Sequence, residues 1–147
     1  MIFNPNGRFQ ITIVYNGVSM EETRLAVNGT LMRGMALNNN LLRVGAKFSR
    51  EEKTAPYYRL WSINDQYPAM LRDEEEGSSI SLEIWKISDS GVLSILAIEP
   101  PGLCIGKVEL ASGNIVLGVL GEQYIIRGQK EISSFGGWRE YLSAIQS

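Results

Sequence analysis

The sequence predicts an α+β domain: a small mixed sheet, curled or barrel-like, carrying two or three short helices. Three observations lead there. Apolar residues recur at period two in several short runs, turn residues separate those runs, and few stretches keep helical spacing. The 15 glycines among 147 residues fall mostly between the runs, where tight turns need them. This length is close to the commonest size for one domain, and no repeat or linker divides 1–147, so a single core is expected.

The elements follow in chain order. Residues 9–15 are rich in β-branched and aromatic side chains, and Asn16-Gly17 after them is a hairpin signal. Leu25-Ala26-Val27 reads as a buried strand stopped by Asn28-Gly29, and residues 35–43 suit a short helix. Residues 57–63 alternate up to Asn64-Asp65. The cleanest period-two run is 80–87, with Ile80, Leu82, Ile84 and Ile87 apolar and Glu83 and Lys86 between them. Asp89 or Ser90 caps a helix through Ile98 that Pro100 ends. Residues 107–110 and 115–120 flank Ala111-Ser112-Gly113-Asn114 as a hairpin. In the tail, Trp138, Tyr141, Leu142 and Ile145 follow the i, i+3, i+4, i+7 rule of an amphipathic helix.

Composition narrows the function. Fourteen basic against 16 acidic residues give a net charge of −2, and the basic ones are scattered singly. Nucleic-acid binding, which draws on clustered Lys and Arg, is not expected. There is no histidine, which removes Ser-His-Asp and Cys-His catalysis, His-ligated metals and imidazole proton shuttling. One cysteine, Cys104, allows neither an internal disulfide nor a cysteine cluster, so it reads as a small apolar filler. Residues 1–10 hold Asn4, Pro5, Asn6 and Arg8 and lack a signal-peptide core, while 91–106 is broken by Glu99, Pro100 and Pro101. A cytoplasmic location, no membrane contact and no cofactor or metal are expected. Asp73-Glu74-Glu75-Glu76-Gly77 lacks the alternating ligands of a calcium loop and reads as a solvated turn. Carboxylates, hydroxyls and backbone amides are left to carry any chemistry.

The segment from Val27 to Gly34, Val-Asn-Gly-Thr-Leu-Met-Arg-Gly, comes straight off a buried strand. A glycine there lets successive N–H groups converge into a nest for carboxylate or phosphate oxygens, and Thr30 adds a hydroxyl; a plain turn fits the same residues. Glu99 precedes the stiff Pro100-Pro101 pair beside apolar neighbours. It reads either as a carboxyl with a raised pKa or as a solvated loop residue. Glu83 points to a pocket or to an outer face, and one of Tyr57 and Tyr58 offers a phenol to a cavity.

Gly29-Thr30-Leu31-Met32-Arg33-Gly34, with Asn38 and Leu41 downstream, resembles the substrate loop of the gamma-glutamylcyclotransferase-like superfamily. A longer match, over 25–144, resembles the C-terminal domain of allophanate hydrolase. It is carried by Gly34-Met35-Ala36-Leu37-Asn38, Thr54-Ala55-Pro56-Tyr57-Tyr58-Arg59-Leu60-Trp61, Glu83-Ile84-Trp85, Pro100-Pro101, Ile105-Gly106-Lys107-Val108-Glu109-Leu110 and Phe135-Gly136-Gly137-Trp138-Arg139-Glu140-Tyr141-Leu142, in common order. The segment 1–24 lies outside it. The resemblance implies a cyclotransferase-like fold and backbone amides that cradle a substrate carboxylate. It also implies urea-nitrogen chemistry, in which an amidase domain releases ammonia from allophanate and this domain decarboxylates N-carboxycarbamate. This chain carries no amidase signature. It also departs from the family's Gly-Ala-His-Leu loop, placing Thr30 at the Ala and Leu31 at the His. By the same resemblance Glu99 matches the cyclotransferase acid/base glutamate.

The expected site therefore has Glu99 as the catalytic residue and Asn28, Gly29, Thr30, Leu31, Asn38, Tyr58 and Glu83 as substrate contacts. Its ligand is a small carboxylate-bearing metabolite. Two readings stay open: an enzyme acting on a carbon–nitrogen or carboxyl bond, and a non-catalytic module that docks on a separate amidase. The many strand edges and the Trp138 helix also suit a homodimer.

Overall fold

The computed structural model describes residues 23–146 with their side chains. Before them it gives only the backbone of four two-residue strands: β1 (Ile2–Phe3), β2 (Phe9–Gln10), β3 (Val14–Tyr15) and β4 (Val18–Ser19). β1 pairs antiparallel with β2, and β3 with β4. The rest of the 9–15 run and the Asn16-Gly17 turn lie outside the described residues.

The main sheet has five strands: β5 (Thr23–Val27), β6 (Lys47–Lys53), β9 (Ser81–Ile87), β10 (Leu103–Glu109) and β11 (Ile115–Gly121), in the order β10-β11-β5-β9-β6. β11 runs parallel to β5 and the other pairs are antiparallel, which makes the sheet mixed. A second sheet, β12-β7-β8, joins β7 (Tyr58–Ile63), β8 (Tyr67–Arg72) and β12 (Lys130–Glu131). α1 (Asn38–Arg43), α2 (Asp89–Ile98) and α3 (Trp138–Ile145) complete the α+β fold. The larger sheet curls as expected: the end of β6 meets the end of β10, where the Ala55 N–H donates to the Glu109 carbonyl (3.0 Å) and the Ala111 N–H to the Lys53 carbonyl (2.9 Å), while among the described residues no closed barrel forms.

The core is where the alternation placed it. Leu25, Leu60, Ile80, Ile84, Trp85, Ile95, Val108 and Trp138 are all buried in one cluster, and Trp61, Ile63 and Ala69 form a smaller one. Two of the strands longer than two residues escaped the sequence reading, each for a physical reason. β6, Lys-Phe-Ser-Arg-Glu-Glu-Lys, is charged because it is an exposed edge, where charge blocks edge-to-edge pairing. β8 contains Pro68, tolerated because β8 is also an edge and lacks a partner for every N–H. Between β7 and β8, Asn64 and Asp65 both take positive φ (52° and 57°), so this dipeptide is a hairpin turn rather than only a strand stop.

α2 is capped one residue earlier than expected: Ser88 Oγ accepts the Gly91 N–H at 3.0 Å. Glu99 is its C-cap, in extended backbone (φ −68°, ψ 146°) before Pro100. Among the described residues no helix is long and apolar enough to cross a membrane.

Candidate functional site

β5 ends at Val27 in the sheet centre, and the chain leaves through Asn28, Gly29, Thr30 and Leu31. Asn28 is buried and its Nδ2 donates to the Val119 carbonyl at 3.0 Å, which ties the loop to β11. Gly29 lies so close to Pro68 that a Cβ would fall inside contact distance of its ring carbons. The carbonyls of residues 29–32 are all taken. Gly29 O accepts the Met32 N–H (3.0 Å), Thr30 O the Leu37 N–H (2.9 Å) and Met32 O the Met35 N–H (3.0 Å). Leu31 O accepts Asn38 Nδ2 at 2.8 Å, so Asn38 at the start of α1 braces the loop.

The N–H groups behave differently. Those of Gly29, Thr30 and Leu31 have no acceptor among the described residues. Backbone donors are rarely left unpaired, and successive free donors at a turn are groups that an anion can satisfy. The Leu31 side chain is buried in the core, so this position offers the cleft an amide and no titrating group.

These residues line one cleft of about 250 Å³, open to solvent, together with Val27, Tyr67, Pro68, Glu99, Leu103 and Val119. No Lys or Arg is in that lining. Glu99 is the one ionisable carboxyl, and no described residue hydrogen-bonds or ion-pairs with it. Burial alone pushes its pKa above the ordinary 4.5. The cleft thus joins amide donors that have no acceptor among the described residues to a carboxyl whose pKa burial has raised.

Glu83 and Tyr58 lie elsewhere. Glu83 is buried in the sheet, where Oε1 accepts the Arg33 N–H (2.9 Å) and Trp85 Nε1 (3.1 Å). Its Oε2 accepts Arg33 Nε (3.0 Å) and Arg139 Nη2 (3.2 Å). Burial raises its pKa, but these donors outweigh burial and hold it below 4.5. Tyr58 is fully buried; its hydroxyl accepts the Glu109 N–H (2.9 Å) and a bond from Arg72 (3.3 Å).

Two further sequence readings meet their surroundings here. Asp73 Oδ1 accepts the N–H groups of Glu75 and Glu76, while Arg59 and Arg72 pair with Asp73, Glu76 and Glu74, so the acidic run is an arginine-paired turn. Burial and Glu122 push the Cys104 thiol up, away from nucleophilic character. Sequence reasoning missed the cleft walls Tyr67 and Pro68, because the strand carrying them went unread. It also missed Arg33 and Arg139, whose meeting at Glu83 leaves no local signal.

Residues 23–143 match the family model of the allophanate hydrolase C-terminal domain. A urea amidolyase of Lachancea kluyveri is 30% identical over 133 residues, covering 86% of this chain but 7% of the relative, so the chain spans a small part of that protein. A crystal structure of a protein described as specific to uropathogenic E. coli is 49% identical, with a TM-score of 0.83, covering 84% of this chain and 98% of that one. Kluyveromyces lactis allophanate hydrolase is 28% identical, with a TM-score of 0.81, over 86% of this chain and 22% of that chain. The fold alone is shared with a mouse AIG2-like protein (19% identity, TM-score 0.55, 69% of this chain and 77% of that one). With its family match running from β5 into α3, the chain belongs to the allophanate hydrolase C-terminal domain family.

Proposed function

We propose that the cleft binds a small carboxylate-bearing metabolite on the amides of Gly29, Thr30 and Leu31, and that Glu99 serves it as acid/base. One observation carries this reading: three acceptor-less N–H groups and an unpartnered carboxyl with a raised pKa line the same small cleft. The cleft is shallow and open to solvent, which suits a ligand of few heavy atoms.

Kinship with allophanate hydrolase favours N-carboxycarbamate, within urea-nitrogen metabolism. Its decarboxylation breaks one C–N bond: the electron pair returns to nitrogen, CO₂ departs, and nitrogen takes the Glu99 proton to give carbamate. Glu99 regains a proton from water. A neutral Glu99 also avoids repelling a dianion in a cleft whose lining has no cationic side chain.

Malonate has the shape and charge of N-carboxycarbamate, so a crystal soaked in malonate is the test. One carboxylate is expected on the Gly29–Leu31 amides with Glu99 turned to the ligand. Amides closed off by the protein's own groups, with Glu99 in solvent, overturn the reading. Glu99→Gln is expected to lower turnover roughly 10²-fold or more, the usual worth of a general acid, while malonate still binds.

A second reading, a module docking on a separate amidase, is favoured by the apolar side chains that α1 and α2 expose. Leu42, Leu93 and Ile98 are each more than half exposed. Co-purification with an amidase that Leu93→Asp abolishes supports it; a monomeric, partner-free chain sinks it.

A further inference from the structure

We infer that Glu83, acting with Arg33 and Arg139, is the positioning residue that sets the amide loop for its anion, and not a contact of the ligand. The inference rests on the proposed anion site and deepens it.

The loop leaves β5 at Val27 and must be held at its far end if three amides are to stay aligned. Glu83 provides that hold. It sits on β9 opposite Val27 on β5, so the anchor faces the residue from which the loop starts. Its Oε1 takes the Arg33 N–H, while Arg139 from α3 donates to the Arg33 carbonyl at 2.9 Å. Both polar groups of residue 33 are thereby fixed from outside the loop. Arg33's side chain returns to Oε2, pairs with Glu51 at 3.0 Å and lies 3.5 Å over the Phe48 ring.

The chemistry of the clamp suits this role. A buried carboxylate with four hydrogen bonds has no capacity left for a substrate, and its negative charge is spent on two guanidiniums before the cleft is reached. What it exports is geometry: the carbonyls at 29–32 all turn to donors within the loop and α1, which leaves the amides at 29–31 as the unpaired set. Asn38 braces the middle and Pro68 abuts the near end. The clamp ties the far end to β9 and α3, and the Arg33 side chain adds Glu51 and Phe48 of β6.

The test combines malonate titration with hydrogen exchange across residues 29–34. Arg139→Gln removes a partly exposed partner and leaves Arg33 on Glu83, so the fold is expected to persist with a melting midpoint lowered less than by Glu83→Gln. Its malonate Kd is expected to rise roughly tenfold, about the worth of one charged hydrogen bond. Loop exchange is expected to accelerate, and Arg139→Lys to recover part of both. Glu83→Gln, read by exchange if it folds, is expected to accelerate the loop further. If wild type binds malonate and Arg139→Gln binds it equally well, the positioning role is overturned and the site reading stands. If wild type does not bind malonate, the site reading falls, and exchange alone decides whether the clamp holds the loop: faster exchange in the variants supports it, unchanged exchange overturns it.

Discussion

Two glutamates, one at each side of the same loop, show how little burial alone says about charge. Glu83 is 1% exposed and ionised; Glu99 is only half-buried and is pushed towards neutrality. The difference is partners. Four donors surround Glu83, two of them from guanidiniums, and they more than offset desolvation. Nothing among the described residues answers Glu99, so desolvation acts unopposed. The two carboxylates are thus pushed in opposite directions: the tightly paired one towards its ionised form, and the one left alone towards its protonated form.

The comparison breaks most sharply at Glu83. Glu83→Gln leaves two guanidiniums facing a neutral amide and is expected to cost about 3 kcal/mol, the low end of the range for breaking a buried pair, because both arginines reach solvent. Urea denaturation checks it through the midpoint at unchanged slope. A loss below about half a kcal/mol, the scale of a surface substitution, would mean that the clamp is not strained towards ionisation. On the cleft side the expected effect is smaller. Gly29→Ala drives a methyl into Pro68 and is expected to cost roughly 1–3 kcal/mol by overpacking. Adding Pro68→Ala relieves that contact, so the two changes should couple in a double-mutant cycle. Strict additivity would show that the loop and β8 are not in contact.

How far the sequence revealed this depended on whether a feature was local. The alternation at 80–87 and the spacing of Trp138 and Tyr141 reflect burial along one element, and the structure buries those side chains. Asn28-Gly29 and Glu99 were legible because each ends an element, and ends carry turn and proline signals. Strand β6 was invisible because an edge strand needs charge more than apolar periodicity, and β8 because Pro68 marks a break everywhere except at an edge. Glu83 was the hardest case. Its place in a period-two run suggested a solvent or pocket face, yet Leu82, Glu83, Ile84 and Trp85 are all buried in succession. Only the approach of Arg33 and Arg139, 50 and 56 residues away in the chain, makes that burial tolerable.

The finest test of the contrast is one of sign. Glu99's pKa is raised on folding, so its neutral form is the one the fold prefers. That advantage is full below the ordinary 4.5 and is lost as pH rises through the folded value. Glu83 runs the other way: its contribution is present above 4.5 and is lost as pH falls through its lowered folded value. Glu99→Gln, which cannot ionise, should therefore match wild type in acid and become the more stable protein as pH rises. Urea midpoints for both proteins, taken on either side of the ordinary glutamate pKa, measure the divergence. A difference that does not change with pH would show a carboxyl solvated in both states, and with it the proton reservoir assigned to the cleft would be gone. A difference that opens only on the alkaline side would show that the fold sustains an unpaired carboxyl at a cost in stability, which is what a residue kept for chemistry rather than for holding the chain together is expected to do.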